Sequence, residues 1–356
     1  MKKTDSLKEY IMKNVTSDII QFRGSHYEFG VYQGELLNNS PLFYNRERLY
    51  KQLDHRFSID KTYVKQLLTR FGPGIEEEIE GLAYALGYKE EQAYLHYGGY
   101  YAENKKSGCS ITTNPYYMIR NYDNDPQSYD GRFVLYAPTD GGYATVGPSM
   151  QITGRMDGMN EKGLAVGYNF VNTKNRADGF VCNMIGRLLL ERCANVDEGI
   201  SLLKDIPHKH SFNYVLLDTE QTMTVVEASP RNVAVRDATA CTNHFKVLTE
   251  ENRYRMEDSL AREHIISKAQ VDPLSFEKAF QLMNGIEKGV FATKYGAWDG
   301  TLHTVGYLPS EGKCHFALGG DAFPVVIDFK SWLSGKHLPL TKFKGKLHAT
   351  YGFANE

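Results

Sequence analysis

A mixed α and β chain, with two sheets stacked face to face and helices outside them, is the fold class this sequence predicts. Three observations predict it. The first hundred residues carry helical periodicity and helix-capping residues. From Cys109 onward the chain breaks into short strand-forming runs divided by turn residues. Pairs of helical segments, at residues 180–205 and 252–286, interrupt those runs. Strand blocks alternating with helix pairs suit a sheet stack covered by helices, because each amphipathic helix must bury its apolar stripe against a sheet.

The elements follow in order. Ser25 is placed to cap a helix through HYEFGVYQGELL, with Glu28 in the capping-box position. Asp60 is placed to start another through KTYVKQLLTRF. Pro73 suits the first turn of PGIEEEIEGLAYALG, and Gly87 suits its end. A further helix is expected over KEEQAYLHYGGYYA, before the polar linker ENKKSG. CSITT, YYMIRNYD, RFVLYAP and YATVG then read as strands, and GRMDGMNEKGLAVGYNF as a hairpin turning at NEKG. Helical spacing returns in NMIGRLLLERC, and Asn195 is placed to cap VDEGISLLKDI. Strands resume with FNYVLLD, TMTVVEAS and NVAVRDA, followed by two helices within 252–286. The strand pair TLHTVGYLP and KCHFALGG comes last, ahead of a tail expected to be irregular. No internal repeat or low-complexity tract is visible.

Composition narrows the function classes. The 356 residues include 41 Lys+Arg and 43 Asp+Glu, a formal charge of −2, which argues against nucleic acid as main partner. With 42% hydrophobic residues the chain is not of the disordered class. No run approaches the apolar length of a membrane span, and polar residues break MKKTDSLKEYIMKNVTSDII, so no membrane association and a cytoplasmic location are expected. Five scattered cysteines with no CxxC pair speak against a disulfide scaffold or a zinc site, and no metal or cofactor motif stands out. The sequence holds 24 tyrosines; Tyr94, Tyr97, Tyr100 and Tyr101 would either line an apolar pocket or pack between helices. His208 and His210 are expected in a solvated loop.

Four short pieces carry chemistry. Cys109 opens the first strand of the β-rich part, directly after Gly108; a buried core cysteine would look the same locally. In Arg120-Asn121-Tyr122-Asp123, strand alternation places Arg120 and Tyr122 on one face and Asn121 and Asp123 on the other. Charges within an apolar strand are costly unless paired or functional. Asn160 and Gly163 fit a turn, whereas Asn169 stands inside a run of strand formers. Asn243, in Thr242-Asn243-His244-Phe245, offers uncharged NH donors of the kind that hold an oxyanion, or serves a turn.

Taken in order, GSHYEFGVYQGELL, GCSITT, IRNYD, DGMNEKGLAVGYNF and TNHF resemble the acyl-coenzyme A:6-aminopenicillanic acid acyltransferase-like family. Its members are autoproteolytic relatives of choloylglycine hydrolases and penicillin V acylases, within the N-terminal nucleophile hydrolases. The resemblance covers about residues 20–245. It implies a four-layer αββα sandwich with a helical N-terminal segment, and a precursor cut between Gly108 and Cys109. Residues 1–108 would become a small subunit and 109–356 a catalytic large one, the two staying associated. It further implies Cys109 as nucleophile, Arg120 beside it, Asp123 near the new α-amine, and Asn169 and Asn243 at the oxyanion. The expected partner is a small acyl-amide, as acyl donor to water or to an amine acceptor; assembly into homo-oligomers is left open. The late arginine of choloylglycine hydrolases has no motif match, and Arg253 and Arg255 are the nearby candidates. Two other readings stay open: a Cys–His hydrolase pairing Cys109 with His244 or His303, and a binding protein on the same fold.

Overall fold

The computed structural model describes residues 11–53, 60–101, 108–174, 176–253, 256–295, 300–349 and 352–355. The linker ENKKSG lies outside them up to Gly108. Strand β1 (Ile11–Gly24) leads into helices α1 (His26–Leu37), α2 (Pro41–Leu53), α3 (Lys61–Phe71), α4 (Pro73–Leu86) and α5 (Glu90–Tyr97). Seven strands follow: β2 (Ser110–Asn114), β3 (Tyr117–Asn124), β4 (Arg132–Pro138), β5 (Thr145–Met150), β6 (Gly154–Arg155), β7 (Asp157–Asn160) and β8 (Ala165–Phe170). Helices α6 (Cys182–Arg192) and α7 (Val196–Asp205) precede β9 (Phe212–Leu217), β10 (Met223–Ala228), β11 (Val233–Arg236) and β12 (Ala240–Cys241). The chain closes with α8 (Glu257–Ala269), α9 (Phe276–Asn284), β13 (Gly300–Leu308), β14 (Lys313–Leu318), β15 (Val325–Asp328), α10 (Phe329–Leu333) and β16 (Lys342–Ala349).

Local signals set the helix starts. The Ser25 hydroxyl accepts the Glu28 backbone N–H while the Glu28 carboxylate accepts that of Ser25, a complete capping box. Asp60 and Asn195 each cap the helix that follows. Gly87 ends α4 at φ +66°, a left-handed conformation that suits a residue without Cβ. Gly163, at φ +83°, closes the NEKG turn by donating to the Asn160 carbonyl at 2.9 Å.

The strands form two sheets. The first runs β11-β10-β9-β8-β7-β5-β4-β1-β16, with β6 attached to β5; the second runs β12-β2-β3-β13-β14-β15. Burial fixes the layers, because successive strand residues face opposite sides. On β4, Phe133 and Leu135 join Ile111, Met118, Val305 and Phe316 of the second sheet in the layer between the sheets. Val134 and Tyr136 of the same strand pack outward, with Phe29 of α1. The other outward residues of the first sheet, Val166, Tyr168 and Tyr214 among them, meet α3–α7. The outward face of the second sheet, with Ile119 and Ala317, meets Ile266 of α8 and Phe280 of α9. The order is therefore helices, sheet, sheet, helices, the expected four-layer αββα sandwich. No helix among the described residues is long and apolar enough to cross a membrane.

The structure corrects the sequence expectation in four places. The N-terminal segment is not only helical. Its strand β1 sits inside the first sheet, parallel to β4 and antiparallel to β16. The tail is not irregular, since β15 and β16 each extend a sheet. Helix α2 was not anticipated. His208 and His210 are buried rather than solvated, His208 Nε2 lying 2.7 Å from the Leu203 carbonyl. The first and second share a cause. The partners of β1 and β16 are remote in sequence, Val15 facing Gly345, so neither strand has a local turn to announce it.

Candidate active site

The hairpin β2–β3, with Ser110 opposite Asn121, carries the site. Cys109 stands one residue before β2 and joins Ile111 in the layer between the sheets. Alternation holds along β3. Met118 and Tyr122, the strand neighbours of Arg120 on its own face, belong to that inner layer, while Ile119 belongs to the outer one. Asn121 and Asp123 share the outer face with Ile119, and Asn121 Nδ2 donates to the Met283 carbonyl of α9 at 2.7 Å.

Cys109 is buried, 1% exposed. Arg120 Nη2 donates to its Sγ at 3.3 Å, and the backbone N–H of Asp123 donates at 3.5 Å. The same guanidinium donates from Nη1 to Asp157 Oδ2 at 2.6 Å and from Nη2 to the Tyr168 carbonyl at 2.7 Å. Tyr307 completes the arrangement by donating to Asp157 Oδ1 at 2.5 Å. Burial opposes the charge on Arg120, but the Cys109 and Asp157 charges outweigh it and raise its pKa. Burial would also push the Asp157 carboxyl up; the His303 contact and Arg120 reverse this and hold it below the usual carboxylate range. Arg120 is thus a fixed cation on the sulfur, an environment that favours thiolate. Other cysteines contrast with it: burial pushes the Cys193 and Cys241 thiols up to about 12, and Cys314 higher still.

On the outer face, Asp123 Oδ1 accepts from Thr301 Oγ1 at 2.6 Å. A Cβ built on Gly108 would lie 3.6 Å from Asp123 Oδ2 and 3.8 Å from Arg262 Nη2, so Gly108 sits between a carboxylate and a guanidinium. Arg262 is the functional candidate that the sequence reading missed. From α8 it donates through Nη1 to the Cys109 carbonyl at 2.9 Å and to Ser110 Oγ at 2.5 Å. Its Nη2 donates to Asn243 Oδ1 at 2.9 Å, and its Nε to Asp258 at 2.9 Å. Of the earlier candidates for the late arginine, Arg253 shows no such contact, its backbone N–H donating to the Asn172 carbonyl, and Arg255 lies outside the described residues. A signal for Arg262 did exist. The buried residues of α8 are Ser259, Arg262, Glu263 and Ile266, a core-facing stripe at helical spacing that is mostly polar.

The two asparagines differ. Asn243 is partly exposed, at the end of the segment after β12. Its Nδ2 donates to the Phe170 carbonyl at 2.8 Å, and its backbone N–H to Ser259 Oγ at 2.8 Å. Arg262 joins it to Cys109. Asn169 is fully buried and donates to the Cys241 carbonyl at 2.9 Å. Its neighbour across the ladder, Asn213, donates to the carbonyls of Thr242 and His244. Both therefore hold the segment that carries Asn243. His244 Nδ1 lies 2.9 Å from Ser259 Oγ and its Nε2 3.4 Å from Glu263. His303 stacks on Tyr122, and burial lowers its pKa. The four tyrosines before the linker are buried in the helical core.

Residues 110–322, more than half of the chain, match the family described as acyl-coenzyme A:6-aminopenicillanic acid acyl-transferase. The chain belongs to that family. The matched stretch begins one residue after Cys109. No curated protein matches the sequence. Among solved structures, a mutant of conjugated bile acid hydrolase from Clostridium perfringens is 14% identical, covering 67% of this chain and 96% of its own, with a TM-score of 0.45. Penicillin V acylase from Agrobacterium tumefaciens is 12% identical, covering 63% and 86%, at 0.42. An N-acylethanolamine-hydrolyzing acid amidase ortholog from Caenorhabditis elegans is 11% identical, covering 57% and 93%, at 0.38.

Proposed function

We propose that this member of the family is a self-processing cysteine enzyme that cleaves linear amides, passing the acyl group through a Cys109 thioester to water or to an amine. One observation carries the reading. The Cys109 sulfur lies under the Arg120 guanidinium, while the preceding Gly108 is set between Asp123 and Arg262.

In self-cleavage the Cys109 sulfur attacks the Gly108 carbonyl carbon. The C–N bond breaks as the nitrogen takes a proton, giving a Gly108 thioester and a free α-amine on Cys109. Water then hydrolyses the thioester. Residues 1–108 and 109–356 become two subunits, held together by the buried faces of the helices over the first sheet.

The new α-amine is the base that the site needs. Its ordinary pKa, near 7.7–8.0, leaves a useful neutral fraction close to pH 7. It takes the thiol proton, and Arg120 stabilises the thiolate. The thiolate attacks the substrate amide carbonyl. Asn243 Nδ2, oriented through its Oδ1 by Arg262, donates to the developing oxyanion. The ammonium, supported by Asp123, protonates the leaving nitrogen, and water or an acceptor amine releases the acyl group. Asn169 acts here by fixing the backbone beside Asn243. A Cys–His pair finds less support, since His244 faces Ser259 and Glu263 and His303 stacks on Tyr122.

Acyl-enzyme trapping tests the reading. Mature protein mixed with a panel of acyl-amides and quenched in acid should carry the acyl mass on the 109–356 fragment, and Cys109→Ala protein should not. Amide turnover with no acyl adduct on that fragment would sink the thioester route.

A further inference from the structure

The outer face of the first sheet, beneath the N-terminal helices, holds a second buried cluster of charge unrelated to Cys109. Ser149 of β5 lies opposite Arg155 of β6. Phe133 lies opposite Pro148, which brings Arg132, the first residue of β4, beside Ser149 on its other flank. The three side chains stand in a row on neighbouring strands, about 4.8 Å from one to the next. They share the face that turns Val134 and Tyr136 toward α1. All three are buried, Arg132 the most exposed at 5%. Arg132 Nη1 and Nη2, Ser149 Oγ, and Arg155 Nε and Nη2 make no hydrogen bond among the described residues. The remaining Arg155 nitrogen, Nη1, donates only to the adjacent Gly154 carbonyl.

The carboxylates nearby are committed elsewhere. Asp130 accepts from Arg46 at 3.3 Å and from the Ile152 backbone N–H at 2.9 Å. Glu78 accepts from Gln33 at 2.5 Å and Arg187 at 2.7 Å. Glu191 accepts from Arg187 Nε at 2.5 Å. Asp18, opposite Arg132 on β1, is half exposed and paired with Lys342 at 3.1 Å, so four guanidiniums (Arg46, Arg132, Arg155, Arg187) share three buried carboxylates. A fourth carboxylate, Asp140, is matched by His26, which burial pushes down but Glu191 holds up at about 8. Burial and the charge of Arg187 lower Arg155 to about 9, which still leaves it a cation at pH 7. No carboxylate lies within ion-pair reach of Arg132 or Arg155 among the described residues, and with His26 protonated the cations of the cluster exceed its carboxylates by one.

The backbone that presents the row is also held under strain. Gln151 and Ile152, in the β5–β6 turn, have φ of +56° and +69°. A β-branched residue in the left-handed region is an outlier that persists only where its surroundings over-determine it. Here Asp130 grips the Ile152 N–H and Arg187 Nη1 grips the Thr153 carbonyl at 3.0 Å. The same two residues also hold Arg46 and Glu78 from the N-terminal helices.

We propose that Arg132, Ser149 and Arg155 bind one small monovalent anion, a halide or a formate-sized carboxylate, sealed between the first sheet and the N-terminal helices. Two guanidiniums and a hydroxyl supply the donors, and one negative charge balances the excess. A dianion would reverse the imbalance rather than remove it. The bound anion would tighten the grip of the N-terminal segment on the rest of the chain.

Bromide is the probe, used on the full-length protein. Crystals grown in sodium bromide should show an anomalous peak within hydrogen-bond reach of Ser149 Oγ and Arg155 Nη2. In solution, replacing gluconate by bromide at constant ionic strength should raise the Tm by on the order of 2 °C or more, as expected when a ligand binds only the folded state. Arg155→Met should abolish both effects. Ser149→Ala, which removes a single hydroxyl and keeps the fold, should weaken bromide binding several-fold and carries the test if Arg155→Met does not fold. Ordered water in place of the peak would overturn the proposal, as would a bromide response unchanged in Ser149→Ala. So would a peak seen only at soaking concentrations with no effect on Tm.

Discussion

Two buried arginine clusters lie on opposite faces of the first sheet, and they are put together differently. On the inner face both terminal nitrogens of Arg120 are engaged and its charge is paired: they reach Cys109, Asp157 and the Tyr168 carbonyl, leaving only Nε without a partner among the described residues, and Tyr307 in turn fixes Asp157. On the outer face Arg187 spans Glu78 and Glu191, but Arg132 and Arg155 keep donors unused. A buried charge has to be paired or it destabilises the fold. The inner cluster meets that demand within the protein and so holds the Cys109 sulfur in place. The outer cluster meets it in part, and its acids and bases come from both the N-terminal helices and the chain after the linker. Damage to the inner face should therefore appear in rate, and damage to the outer face in cohesion.

The largest expected effect is on the inner face. Cys109→Ala should lower amide turnover by about 10⁴ or more, the scale seen when a nucleophile is removed, with little change in Tm. A fall in Tm as large as the fall in rate would mean that Cys109 is a core residue after all. The matching break on the outer face is Glu78→Ala, which strips Arg187 of one partner. It should cost about 3–5 kcal/mol in denaturant unfolding, while kcat well below the melting range stays near wild type. A kcat loss without a stability loss would erase the distinction between the two faces.

Asn243→Ala sharpens the comparison. On already matured protein kcat should fall by about 10²–10³ and KM should change less, because the oxyanion belongs to the transition state. Asn243→Asp should be worse, since a carboxylate repels the developing charge. A turn asparagine would tolerate aspartate, so wild-type turnover in Asn243→Asp would remove it from the site.

The sequence was most readable where structure depends on near neighbours. Ser25 with Glu28, Asp60, Asn195 and Gly87 announced helix ends, because a cap bonds to residues within one turn. The alternation of Arg120 and Asp123 was readable for the same reason. What depends on remote contacts was not. Strand β1 is recognisable only against β4 and β16, both remote in sequence, and its exposed positions mix Met12 with polar residues and so blur the alternation. Arg262 serves a cysteine far back in the chain, and its helix shows no apolar stripe because polar residues hold the buried positions. The unpaired guanidiniums under the N-terminal helices come from β4 and β6 and the acids around them from α4, α6 and the Asp130 turn, so no local pattern announces the cluster.

The smallest effect is one of pH, on the outer face. The folded pKa of His26, about 8, lies above the ordinary 6.5. Its contribution is therefore complete below about pH 6.5 and is lost as pH rises through 8, amounting to at most about 2 kcal/mol. Unfolding free energy should decline across that window, and His26→Gln should flatten the decline. An equal decline in the variant would place its origin elsewhere.

The central claim is that Cys109 becomes the first residue of a subunit. The most direct measurement is intact mass, with N-terminal sequencing, of purified protein incubated under conditions that permit turnover. The account predicts two fragments of 108 and 248 residues, summing to the 356 of the chain, the larger beginning Cys-Ser-Ile-Thr-Thr. They should co-elute under native conditions, and Cys109→Ala should remain a single chain. An active wild-type protein that stays full length would contradict it, because a Cys109 within an unbroken chain has no α-amine to act as base.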